Sequence, residues 1–224
     1  MDWEAVWLSV RLSALTSAIL LAAGLPIAYW LSVTTWRWKF LVEAVVALPL
    51  VLPPTVLGFY VLVGIGPRSP LGGAYQAVTG ALLPFSFEGL LVASVLYSLP
   101  FTVQPFAAAF AAVDRGLVEA SWCLGVSRLG TFFRVILPVS WPGVLVGVIL
   151  SFTHTLGEFG VVLMVGGSLP GVTRTVSISI YDSVQALDYG RAASTSLLLL
   201  ATSFVALSVT YAVQRRVWAV WPAR

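Results

Sequence analysis

Charge is what this sequence has least of. Of its 224 residues only 9% are Asp, Glu, Lys or Arg, while 59% are hydrophobic. A soluble domain carries about 25% charged residues and needs them to cover its surface. Their scarcity here excludes an ordinary water-soluble fold and makes the bilayer the expected solvent. The single cysteine, Cys123, excludes an intrachain disulfide and a multi-cysteine metal site, and the single histidine, His154, argues against a zinc or haem enzyme. The net charge of +3 is small and scattered, which is no footprint for nucleic acid. A phosphate loop is also missing, because Gly166-Gly167 runs into Ser168-Leu169-Pro170 without a lysine. A cleavable signal peptide is not expected either. The start, Met1-Asp2-Trp3-Glu4, is acidic, and the uncharged run 12–36 is longer than a signal core of roughly 7–15 residues.

What is present is apolar sequence in long runs. Crossing the hydrocarbon core takes about 20 apolar residues. Five stretches meet that length: 12–36, 44–67, 89–113, 139–165 and 192–214. Each is uncharged except the fourth, which holds His154 and Glu158. A sixth segment, 175–187, is shorter and carries Asp182, so it reads as a re-entrant or partly crossing helix. The expected fold is an all-α polytopic membrane protein of five full spans plus this short helix, in one domain over 1–224 with its core at about 6–216. With five spans, Arg37, Lys39, Arg115, Arg128, Arg134, Arg215, Arg216 and Arg224 share one side; Arg11, Arg68, Arg174 and Arg191 share the other. The excess of basic residues places the first group in the cytoplasm. The N-terminus is then outside and the C-terminus inside. Trp36, Trp38, Trp218 and Trp221 fall near span ends, where interfacial anchors are expected. Residues 66–88, rich in Gly and Pro, read as an external loop with room for one short helix.

Polar and helix-breaking residues interrupt the spans. Pro49, Pro53 and Pro54 lie in the second, and Pro100 and Pro105 in the third. Each removes a backbone hydrogen bond and bends the axis. Such breaks either serve packing or line a transport route, and Pro53, Pro54 and Thr55 are the candidates for the second role. Ser151, Thr153, His154, Thr155 and Glu158 form a polar block in the fourth span. On a continuous helix, Thr155 and His154 share a face with Glu158. Either the block lines a pathway or gate, or a His154–Glu158 hydrogen bond holds the helix. A bare carboxylate repels anions, so Glu158 suits gating or structure better than an anion contact.

The strongest signal lies between the third and fourth spans, in residues 114–138. A short helix is expected first, with Leu117, Ala120, Trp122 and Leu124 as an apolar ridge. Gly125 ends it by taking positive φ. A second amphipathic helix follows, stopped by Pro138, with Phe132, Phe133 and Ile136 against the bundle. Glu119-Ala120-Ser121, then Gly125, then Leu137-Pro138 resembles the EAA loop of type I ABC importer permeases. Ser121 stands where that pattern has Ala, and Val135 where it has Ile. The resemblance implies the type I ABC importer permease fold. It also implies that Glu119, Ala120, Ser121, Gly125, Leu137 and Pro138 couple the spans to a separate ATP-binding subunit.

The resemblance narrows further along the chain. The run from Leu48 through Pro53, Pro54 and Thr55 to Tyr60 is similar to the second span of molybdate permeases, and so is the block from Phe152 through Gly157-Glu158-Phe159-Gly160 to Gly167. The segment Thr173-Arg174-Thr175 favours molybdate over sulfate, while tungstate is chemically too close to separate. The implied assembly has two permease copies, two ATP-binding subunits and an extracytoplasmic oxyanion-binding protein. No cofactor is expected on this chain, and ATP with magnesium belongs to the partner subunit. The rivals are a sulfate or other oxyanion permease and a secondary transporter. The latter usually shows inverted repeats, and no internal repeat is apparent.

Overall fold

A computed structural model describes residues 2–220, with side chains described through residue 213. The side chains of Arg215, Arg216, Trp218, Trp221 and Arg224 therefore lie outside the described residues. All regular structure among those described is helical: α1 (Trp3–Val33), α2 (Lys39–Val51), α3 (Pro54–Ile65), α4 (Pro70–Thr79), α5 (Phe87–Ala111), α6 (Arg115–Cys123), α7 (Arg128–Thr131), a π-helical turn (Phe132–Ile136), α8 (Leu137–Gly157), α9 (Gly160–Gly166), α10 (Val176–Gln185) and α11 (Tyr189–Val220).

Helix starts follow local side-chain chemistry. Asp2, Ser69, Ser86, Asp114, Ser127 and Thr175 each accept a hydrogen bond from a backbone N–H of the helix that follows. Each satisfies an amide that would otherwise lack a partner. Four helical runs are long and apolar enough to cross a membrane alone: α1, α5, Arg128–Gly157 and the Tyr189–Val213 part of α11. The pair α2–α3, whose axes bend by 114° at Leu52-Pro53, is long and apolar enough for a fifth when its two halves are counted together. Leu52 and Pro53 are extended, with ψ near 135° and 137°. The proline cluster thus breaks the second span outright rather than merely kinking it.

Helices α1 and α5 run parallel. Arg11 stands over the Phe87 ring at 4.4 Å, and far along both helices Gly24 faces Thr102 and Phe106. Helix α8 runs back against α5. Ser140 donates to the Ala109 carbonyl near the start of α8, and Ser98 bonds Thr155 near its end. Gly143 and Gly147 form a small-xxx-small stripe on α8, with Ala109 and Phe106 so close that a side chain at either glycine would collide. Lipid tails are as apolar as leucine, so helices in a bilayer associate through close packing and interhelical hydrogen bonds. The Ser17–Ser151 bond (3.2 Å) and the Ser98–Thr155 bond (2.8 Å) supply the second kind.

The α1 and α5 N-terminal ends share one end of the bundle with α10, whose ten residues are too short to cross a membrane. Val176 N–H donates to Ser9 there, and Ile178 packs with Leu8, Leu12 and Leu90. The same end carries an ion network. Asp2 lies 3.9 Å from Arg174 and 3.7 Å from Arg191, and Arg174 lies 3.4 Å from Asp182. The opposite end holds α6, α7 and the α1–α2 turn, where Trp36 and Trp38 are half exposed. Helix α4 forms the short helix within the 66–88 loop.

Candidate functional site

Two places gather the residues singled out by sequence. The first is the elbow between α5 and α8. Asp114 caps α6 through a 2.7 Å bond from the Gly116 amide. Gly125 then adopts φ +76°, Gly125 N–H donates to Trp122 O, and Val126 N–H donates to Ser121 O. These paired bonds are a Schellman C-cap, and the left-handed residue at its centre favours glycine. Inside the elbow, the buried hydroxyls of Ser121 and Thr131 share a 3.0 Å hydrogen bond that ties α6 to α7. Tyr29, Phe110 and Phe132 pack as an aromatic cluster that seats the π turn on the bundle, with ring centroids 4.7 to 6.3 Å apart.

The outer surface of α6 is unpartnered. Glu119 and Ala120 are exposed, as are Leu117, Trp122 and Leu124, the last at 83%. Two expectations fail nearby. Pro138 does not stop the second helix, which passes from α7 through the π turn into α8. Pro138 lacks an N–H, and the preceding Leu137 N–H bonds Phe132 O, five residues back. The widened turn makes room for the ring that would crowd a regular α-turn. Phe133 points away from the bundle and is 57% exposed, while Phe132 and Ile136 are buried as expected.

The second place is where two broken spans touch. Helix α8 ends at Gly157, Glu158 is extended, and α9 restarts at Gly160. A side-chain carbon on Gly160 would stand 2.6 Å from Pro54 Cβ, and one on Gly58 would stand 2.7 Å from Met164 Cβ. The break after Pro53 therefore meets the break after Glu158. From that meeting point α3 and α9 run side by side through Val61, Ile65, Val161 and Val165.

The expected shared face of Thr155, His154 and Glu158 does not form, because the helix ends before Glu158. The Glu158 carboxylate instead accepts the Val161 N–H at 2.9 Å, satisfying an amide at the start of α9. His154 stacks on Phe101 with 3.9 Å between centroids and shares a 3.0 Å hydrogen bond with Ser98 through Nδ1. No His154–Glu158 bond occurs.

Residues 19–219 match the family described as binding-protein-dependent transport system inner membrane component. That match spans nearly the whole chain, elbow and broken spans included. The chain belongs to this family. Among its relatives, the molybdenum transport system permease of Azotobacter vinelandii is 48% identical over 96% of this chain and 95% of its own length. The corresponding protein of Escherichia coli K12 is 36% identical over 82% of this chain and 80% of its own. The fold is also that of the inward-facing MetNI methionine ABC transporter, at a TM-score of 0.70 and 18% identity over 99% of this chain and 96% of that one.

Within this membrane-embedded permease, the six elbow residues are held by one continuous structure. Glu119 and Ala120 lie at its exposed apex, Ser121 inside it and Gly125 at its turn, with Leu137 and Pro138 where it joins α8. The intramembrane candidates divide. Pro53, Pro54 and Thr55 are exposed, and Thr153 and His154 are half-buried, whereas Ser151, Thr155 and Glu158 are buried. Sequence reasoning missed Thr131, Ser98 and Phe101, whose roles arise from partners on other segments. It also missed the Asp2–Arg174–Asp182 network. The Gly143-x-x-x-Gly147 spacing was a signal available for the α5–α8 contact.

Proposed function

We propose that this chain is the permease subunit of an ATP-driven importer that carries molybdate, and tungstate with it, across the cytoplasmic membrane by alternating access. The observation that carries this reading is the elbow: an exposed apolar helix with Glu119 and Ala120 at its apex, held in fixed geometry in a family member. An exposed ridge of that kind at a membrane surface suits a partner's cleft. The partners are two ATP-binding subunits, a second permease copy and an extracytoplasmic oxyanion-binding protein. The elbow end faces the cytoplasm and the Asp2 end faces outward, as the excess of basic residues on the elbow side favours. ATP is hydrolysed on the partner, where its binding draws the two Glu119 helices together and opens the spans outward; hydrolysis reverses the motion. Each state is favoured by differential binding energy.

The oxyanion passes near Pro53, Pro54, Thr55 and His154, where the broken spans leave accessible surface. Ser151 and Thr155 hold helices together, and Glu158 holds α9. Arg174 is engaged by Asp2 and Asp182, which leaves Arg68 as the better-placed cation for the binding protein. Isotopic uptake in cells expressing the chain with its ATPase tests the reading. Molybdate uptake that tungstate competes and excess sulfate leaves intact is expected. Strong sulfate uptake without molybdate uptake would sink the substrate assignment, and uptake indifferent to Glu119→Ala would sink the coupling.

A further inference from the structure

A cavity of about 440 Å³ opens between the end of α1, the start of α2 and the last turns of α5, at the elbow end of the bundle. None of the residues discussed for coupling or pathway lines it. Its mouth carries Lys39 and Glu43, 3.4 Å apart, with Ser32 beside them. Lys39 also donates to the Leu31 carbonyl at 3.1 Å, which fixes the ammonium at the rim. Below the rim the walls are Val46, Ala47, Val103, Ala107 and Ala108. Trp36 and Trp38, half exposed just before α2, mark this level as the membrane–water interface.

We propose that this cavity holds one phospholipid of the elbow-side leaflet, its phosphate at Lys39, its headgroup ammonium at Glu43 and an acyl chain along the alanine-lined wall. The chemistry is that of an amphiphile: one cation and one anion at the surface, small apolar side chains beneath. Basic pockets between membrane helices bind lipid headgroups by this logic. The adjoining carboxylate selects a zwitterion, phosphatidylethanolamine, over an anionic lipid. The other ready occupant is a helix of a second copy. Gln104, exposed on the α5 wall, discriminates between the two occupants, because a second chain would use its amide whereas a lipid tail has no need of it.

The inference rests on the membrane reading and not on the substrate, so a chain that fails to carry molybdate would still retain the lipid. Native mass spectrometry of the detergent-extracted, delipidated full chain provides the test, after incubation with phosphatidylethanolamine or phosphatidylglycerol. Wild type is expected to keep one phosphatidylethanolamine. Lys39→Gln should lower occupancy about fivefold, the equivalent of ~1 kcal/mol for a basic side chain near a membrane surface. Ala108→Phe should abolish binding by filling the wall, and Gln104→Leu should leave it unchanged. Lys39→Gln lies at the rim and keeps the test decisive if Ala108→Phe does not fold. Unchanged occupancy in Lys39→Gln would overturn the site, and equal retention of phosphatidylglycerol would overturn the role of Glu43. Disulfide-linked dimers of Gln104→Cys in a Cys123→Ser background would place a second copy there instead.

Discussion

At one end of the bundle Asp2 reaches Arg174 and Arg191, Arg174 reaches Asp182, and Ser9 and Ser179 bind the short helix α10 to the start of α1. At the other end α6 turns a row of apolar side chains to solvent and is held from behind, by the Ser121–Thr131 bond and by Val118 against the core around Phe110 and Phe132. The first end pairs Asp2, Arg174, Asp182 and Arg191 within the chain. The second is complete internally yet leaves its outer face without a partner. Burying an apolar surface lowers free energy by roughly 25 cal/mol per Å², so covering the α6 face would be favourable. The difference separates a closed scaffold from a socketed handle.

The contrast can be broken most sharply at Gly125. Gly125→Val places a β-branched residue at φ +76°, costing ~1–2 kcal/mol and redirecting α7. Oxyanion uptake per membrane-inserted chain should fall at least about tenfold, the equivalent of that strain plus lost coupling; near-normal uptake would show that the elbow geometry is not needed. A second effect uses the free, exposed Cys123 on α6. Its maleimide labelling should slow severalfold when the ATP-binding subunit is added, and unchanged labelling would deny that α6 is the docking face. Ser121→Ala removes one buried hydrogen bond worth about 1 kcal/mol. Because Ala is the residue the EAA pattern has at this position, uptake should stay near normal while the melting temperature falls by about 2–4 °C; a large uptake defect would show that this hydrogen bond itself sets the coupling. The smallest effect belongs to the clamped end. Asp2→Asn should lower stability by about 1 kcal/mol or less, with the difference shrinking at high salt and uptake unchanged. A large uptake defect from Asp2→Asn would erase the distinction between the two ends.

Much of the elbow was legible because it is local. The short helix, Gly125 as a left-handed turn and the apolar ridge of α6 depend on neighbours within a few residues, and each is where the sequence pattern puts it. The intramembrane block was less legible. His154 and Glu158 are four apart, which on an unbroken helix means one face, but Glu158 is drawn off by the amides that open α9. Pro138 looks like a terminator in sequence, yet a π turn absorbs it because Phe132 and Ile136 are anchored in the core on either side.

Composition and spacing alone determined that this chain lives in a bilayer, how many times it is long enough to cross, and where its longest polar connection falls; the coupling pattern there came from a family resemblance. Those properties follow from residue type and local period, and they need no knowledge of what packs where. Tertiary structure alone decided that the break at Pro53 meets the break at Glu158, that Gly143 and Gly147 seat α8 on α5, and that Arg174 is spent inside the chain. Each depends on a partner distant in sequence: Gly160 on Pro54, Gly143 on Ala109, and Arg174 on Asp2. In a bilayer, where apolar burial barely distinguishes protein from lipid, close packing and polar pairing between such distant segments set the arrangement.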